Sequence, residues 1–326
     1  MKRAALAAIL LLMTTVSTSA CAEPRDPISF SDLLGRPRET ADATIAYGAD
    51  PLQHGELWLP KGQGPFPVVG LVLGGCWQAD LPGTELMDYL AVDLRARGYA
   101  VWNLEYRRIG HAGGAYPGTF SDVAAGLDHL RAIAGERHLD LGRVVLVGHS
   151  AGGHLVSWAA ARAGLPTSSP LWIADPLAVK GVVSLAGIND LEAFRATGPD
   201  RCGGPQTIDD LVSASTRAGQ DVYADTSPAR LAKPAAPVVV VSGSEDPIVP
   251  VEFGVSFASR WSATNLIVGG AGHFELIDPT SRAWTLAIVS EIEILANGRF
   301  RMMLRSLGLF ARGRASGQSE PMSNGD

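Results

Sequence analysis

The sequence predicts an α/β fold: a mostly parallel central sheet flanked by helices, with a cap insertion. Three observations predict it. Short apolar runs alternate with longer amphipathic segments along most of the chain. The runs are β-branched or aliphatic and bounded by Gly, Pro or Asn, the pattern of strands buried on both faces. Regular strand–helix alternation then calls for crossover connections, which set successive strands parallel.

Taken in order, the runs at residues 68–73, 100–104, 144–147, 179–185, 238–241 and 265–268 read as strands. Residues 85–97, 121–134, 152–163 and 251–262 read as helices. Asp278-Pro279 offers a capping carboxylate followed by proline at the first helical position, so a last long helix is expected to open there. Residues 189–232 break the rhythm. They are polar, Gly-rich and helical by turns, and an insertion of this size after a strand is expected to cap the site.

The two ends of the chain read differently. Lys2 and Arg3, an apolar run over 4–13 and small residues up to Ala20-Cys21-Ala22 form a signal peptide over residues 1–22. Such a segment is expected to direct export, to a periplasm or beyond, and to be cleaved after Ala22. A competing reading makes Cys21 a lipid-modified anchor, against which Thr18 stands where a leucine is usual. Residues 23–310 then form the domain, and the polar, Gly/Ser-rich 311–326 is expected to be a disordered tail.

Composition narrows the function classes. With 46% hydrophobic residues the chain can bury one large core. A net charge of −6 leaves no basic footprint for nucleic acid or an anionic membrane. No segment after the start reaches transmembrane length, and no Cys/His cluster has zinc spacing, so no zinc site is expected. Without Cys21 the cysteines are Cys76 and Cys202, and spacing does not decide whether they pair.

In sheets of this kind the chemistry sits at the carboxyl ends of the strands. After residues 144–147 comes Gly148-His149-Ser150-Ala151-Gly152, a G-x-S-x-G elbow that lifts a serine hydroxyl above the sheet. A serine needs a base, and the base needs an acid to orient it. Asp246 follows residues 238–241 on a loop stiffened by Pro247 and Pro250, and His273 follows residues 265–268 on a Gly-rich loop. Glu245 is the competing acid, read as a solvated loop charge. His149 is read as packing beside the elbow rather than acting as base. The order Ser150, Asp246, His273 is that of α/β-hydrolases. The strand ending at Leu73 breaks into Gly74-Gly75-Cys76-Trp77, a place for amides that bind an oxyanion. The N–H groups of Gly75, Cys76 and Ala151 are therefore assigned to an oxyanion hole, with Trp77 walling the substrate pocket or packing the loop.

With these residues in hand, the chain resembles the α/β-hydrolase superfamily, and within it the branch of acetyl-esterase-like and kynurenine formamidase-like enzymes. The resemblance rests on Gly74-Gly75-Cys76-Trp77, on Tyr47-Gly48 with Pro51 and Gln53, on Glu105-Tyr106-Arg107-Arg108, and on His273-Phe274 followed by Ile277-Asp278-Pro279. It implies a cofactor-free serine esterase acting on small acyl esters, with Ser150 as nucleophile, His273 as base and Asp246 as orienting acid. Leu73 departs from the branch, which usually has a histidine there to brace the oxyanion loop. An aryl formamidase uses the same parts, and export argues against it. A non-catalytic binding protein on the same fold would be expected to lack part of the triad.

Overall fold

The computed structural model describes residues 27–298. The expected signal peptide, the competing anchor at Cys21 and the expected tail lie outside the described residues. Helix α1 (Phe30–Leu34) precedes β1 (Ala43–Ala46), β2 (His54–Trp58) and β3 (Phe66–Val72). Next come α2 (Asp88–Ala96), β4 (Ala100–Leu104), α3 (Gly118–Asp128), α4 (Leu130–Ile133), β5 (Leu139–His149) and α5 (Ala151–Ala161). After β6 (Gly181–Leu185) stand α6 (Leu191–Thr197) and α7 (Gly204–Leu211), then β7 (Val238–Gly243), α8 (Val251–Trp261), β8 (Thr264–Val268) and α9 (Val289–Asn297). No helix among the described residues is long and apolar enough to cross a membrane.

The strands form one sheet in the order β1-β2-β4-β3-β5-β6-β7-β8. From β4 to β8 all pairings are parallel, while β2 runs antiparallel to β1 and β4. The parallel strands β4, β6 and β7 are buried along their whole length, which is why each reads as a continuous apolar run. β1 and β2 were not expected from the sequence. β1 alternates half-buried and exposed residues at the sheet edge, so it carries no apolar run to recognise.

β3 is flanked by β4 on one side and β5 on the other, so the winding direction reverses between β3 and β5. A crevice opens outside the strand ends at such a switch point. The ends align there: Val72 pairs with Gly148, His149 with Leu185, Leu185 with Val241 and Gly243 with Val268. Every loop singled out in the sequence for its chemistry leaves this edge.

Two expectations are corrected. The last helix does not open at Asp278-Pro279. The Asp278 carboxylate accepts from the two terminal Arg36 guanidinium nitrogens at 2.8 and 2.9 Å and from the Thr280 amide, an ion pair and a local turn that no helix continues. Helical structure starts at Ala283, with a π-helical stretch Ala283–Ile288 leading into α9, and the Ser281 hydroxyl accepts from the Trp284 amide. The helix expected over 121–134 starts earlier, at Gly118, and breaks into α3 and α4. The insertion over 189–232 contains α6 and α7 and docks on the loops after β3 and β4. Thr207 accepts from the Gln78 amide group, Leu211 from the Tyr116 N–H, and Cys202 is disulfide-bonded to Cys76.

The end of β3 packs closely against the elbow. A Cβ on Gly152 would lie 2.0 Å from the Val72 carbonyl oxygen and 2.6 Å from that of Leu73, both backbone atoms with nowhere to move. Gly152→Ala is expected to push the end of β3 away from α5 and destabilise the fold by about 1–3 kcal/mol. Urea unfolding of the purified variant measures this, and wild-type stability would refute the close packing.

Candidate active site

Ser150 stands at φ 55°, ψ −117° between β5 and α5, buried to within 2% of full enclosure. Its amide donates to the Leu185 carbonyl at 2.8 Å, and its carbonyl accepts from Ile188, so β6 and the turn after it fix the elbow. Asp246 and His273 are brought together directly, with Nδ1 of His273 2.6 Å from Oδ2 of Asp246. The other carboxylate oxygen of Asp246 accepts from the Ile248 and Val249 amides at 2.8 and 2.9 Å. A carboxylate held by two amides and a ring N–H has one orientation and presents the imidazole in one tautomer, with Nε2 free to take a proton. Glu245, its neighbour, is exposed, and only its backbone is tied, to the Ala271 carbonyl.

Ser150 and His273 are linked through His149 rather than by a direct hydrogen bond. The His149 ring is fully enclosed, lies 4.4 Å from the His273 ring and donates from Nε2 to the His273 carbonyl at 3.1 Å. The residue read as packing beside the elbow thus also ties the backbone of His273 to the strand that carries the serine. The histidine loop is clamped from the N-terminal side as well. Glu275 accepts from the Gly272 and Ile28 amides, and Arg36 pairs with Asp278. Nothing in residues 27–36 signals this role, because the partners lie more than two hundred positions away.

The loop after β3 carries an unusual backbone. Gly75, Cys76 and Trp77 take φ of 92°, 49° and 55° in succession. Glycine accepts such a conformation freely, whereas the other two are each disfavoured by about 1–2 kcal/mol. The amides of Gly75 and Cys76 donate to no group among the described residues, and neither does that of Ala151 at the start of α5. The loop passes directly against Ser150: a Cβ on Gly74 would lie 3.2 Å from the Ser150 Cβ. These three amides and the serine therefore share one small region at the switch point.

Of the two roles read for Trp77, the structure gives the packing one: its side chain is fully buried and packs edge-on against His154 at 5.2 Å, so it belongs to the core and does not wall an open pocket. Leu73 is likewise fully buried, and a different residue does the bracing there. The Tyr106 hydroxyl donates to the Leu73 carbonyl at 3.0 Å. Further along, Arg108, itself paired with Glu105, donates to the carbonyls of Leu81 and Pro82 at 2.9 Å each. The Glu105–Arg108 stretch noted in the sequence is thus the scaffold of the loop after β3.

The BD-FAE family model matches residues 56–261, well over half of the chain, and the chain belongs to that family. Esterase LipC of Mycobacterium tuberculosis is 32% identical over 265 residues, covering 74% of this chain and 63% of that protein, so the chain spans less than two thirds of its relative. Among solved structures, a truncated carbohydrate esterase from gut microbiota has a TM-score of 0.64 at 20% identity, covering 79% of this chain and 97% of that one. Esterase B from Lactobacillus rhamnosis gives 0.66 at 19%, covering 82% and 91%. A bacterial heroin esterase gives 0.58 at 22%, covering 75% and 79%. The shared architecture is the α/β-hydrolase fold.

Two histidines beside the serine are held neutral by burial. Burial, reinforced by the neighbouring His273, pushes His149 well below the usual imidazole range. Burial pushes His154 down to about 4, although its Nε2 still donates to the Thr226 carbonyl. An unfolded His154 titrates near its ordinary value, so between there and about pH 4 the unfolded chain binds a proton that the folded one refuses. Stability from this group is complete at neutral pH and is lost as pH falls. Replacing it by leucine removes that loss. The stability difference between wild type and His154→Leu should shift by about 2 kcal/mol against wild type between pH 7 and pH 5. Urea unfolding at both pH values measures it, and a pH-independent difference would refute it.

Proposed function

We propose that this protein is an exported serine hydrolase that cleaves short acyl carboxylic esters through an acyl-enzyme intermediate. The observation that carries the reading is the buried 2.6 Å Asp246–His273 pair beside a serine held on a strained elbow, next to three amides with no other partner. Membership of the BD-FAE family and likeness to Esterase LipC support ester hydrolysis. Export is supported by the signal-peptide pattern and by the Cys76–Cys202 disulfide, a bond typical of oxidising compartments.

In this mechanism His273 takes the proton of Ser150 as the hydroxyl attacks the ester carbonyl, and Asp246 holds the resulting imidazolium. Negative charge on the carbonyl oxygen is received by the amides of Gly75, Cys76 and Ala151, whose orientation is fixed before substrate arrives. His273 then protonates the departing alcohol. A water deprotonated by the same ring attacks the acyl-serine, and collapse of the second tetrahedral intermediate returns Ser150 and releases the acid. The arrangement needs no metal or organic cofactor.

Hydrolysis of nitrophenyl esters of increasing acyl length, beside N-formylkynurenine, tests the proposal. Acetate and butyrate esters should be the best substrates. Ser150→Ala should lower turnover by about 10⁴-fold or more while the protein stays folded. Asp246→Asn, which removes the charge and disturbs the tautomer, should cost about 10⁴-fold in kcat. Faster turnover of the formyl amide would replace the esterase reading with an amidase, and full activity in the alanine variant would sink both.

A further inference from the structure

The strained loop 75–77 is tied to the insertion by two bonds that the catalytic scheme does not require. Cys76 is disulfide-bonded to Cys202, whose partner lies 126 positions away in sequence, with the two Cα atoms 5.4 Å apart. Two residues on, the Gln78 amide group donates to the Thr207 hydroxyl at 3.1 Å. Cys202 and Thr207 flank the start of α7, so both ties hold the same short piece of the insertion against the same short piece of the loop. Cys76 is also the middle member of the positive-φ run, and its own amide is one of the free donors.

We infer that the Cys76–Cys202 bond is a positioning device for the oxyanion hole, with Cys202 on the insertion holding the Cys76 amide where the developing charge appears. This rests on the serine-hydrolase reading above and adds to it a residue outside the triad. The scaffold of Tyr106 and Arg108 explains why both are needed. Tyr106 fixes the loop at Leu73, before the donors, and Arg108 fixes it at Leu81 and Pro82, after them. Between those points the backbone sits in a conformation that two L-residues disfavour, and would relax toward negative φ unless pulled from outside. The buried Trp77 indole holds one side of the run, and the disulfide holds the other. A bond whose role was only to stabilise the fold could join any two elements. This one ends on the residue that must donate.

The test is steady-state hydrolysis of nitrophenyl acetate by Cys202→Ser, at a temperature where circular dichroism shows the variant folded. Deleting an oxyanion donor typically costs 10²–10³-fold, and loosening one should cost less. The expected result is a fall in kcat of about 10–100-fold with KM within about twofold of wild type. The inhibition constant of an aryl trifluoromethyl ketone, whose adduct with Ser150 places an oxyanion in the same hole, should rise in proportion. Fluorophosphonate labelling should still reach one label per chain at long times, more slowly. Should Cys202→Ser fail to fold, Thr207→Val cuts the second tie with little change in volume and should lower kcat by about threefold to tenfold. Wild-type kcat in a folded Cys202→Ser, or in Thr207→Val where only that variant folds, overturns the inference. Failure of wild type itself to hydrolyse esters or to label at Ser150 would instead strike the underlying reading.

Discussion

Ser150 occupies a backbone conformation that an L-residue avoids, at a cost of about 1–3 kcal/mol, and much of the molecule is arranged to keep it there. The elbow exists because β5 must end and α5 begin within a single residue while the hydroxyl faces the crevice. That is possible only if β3 comes close enough to support the turn, which is what the missing side chain of Gly152 allows. From the other side β6 supplies the Leu185 carbonyl to the Ser150 amide. The strain is local, and its support comes from both neighbouring strands of a sheet buried on two faces.

The same logic holds for the donors. A hydrogen-bond donor left without an acceptor inside a protein is disfavoured, so three free amides in one region must be imposed by their surroundings. At Ala151 the start of a helix imposes it, since the first amides of any helix have no partner within it. At Gly75 and Cys76 the loop is bent by anchors on all sides: a tyrosine hydroxyl, an arginine on two carbonyls, a buried indole and a disulfide. The absence of a histidine at position 73 is therefore no gap in the support. A fully enclosed leucine leaves its carbonyl to Tyr106, whose hydroxyl comes from the end of the neighbouring strand β4.

What could be read from the sequence was what depends on neighbours in the chain. The strands of the parallel sheet announced themselves as apolar runs, and Ser150, Asp246 and His273 were each found on the loop after one of them. Asp246 was preferred to Glu245 on the sequence alone, and the structure gives the physical reason: the loop turns the Asp246 carboxylate inward onto His273 and leaves Glu245 exposed. Whatever depends on distant partners was hidden. Asp278-Pro279 has the local signature of a helix start, yet Arg36 claims the carboxylate from far up the chain. The strands β1 and β2 lack an apolar run, and Trp77 looked as suitable for a pocket as for a core. Cys76 and Cys202 were both visible, but their proximity is a product of how the insertion docks.

His149 shows how local and distant constraints meet in one side chain. Its place in the elbow is dictated by sequence, one residue before the nucleophile. Its ring, however, reaches across to the His273 carbonyl, joining the base to the strand that carries the serine. Burial keeps that ring neutral, so Nε2 is its only N–H and the bond to His273 fixes the tautomer. In the proposed mechanism His273 becomes an imidazolium, and a cation at His149, with the rings 4.4 Å apart, would repel it. The enclosure that makes His149 a poor proton acceptor thus protects the one next to it. The two histidines, so close in space, are given opposite tasks by their surroundings, His273 by the carboxylate it faces and His149 by the lack of one.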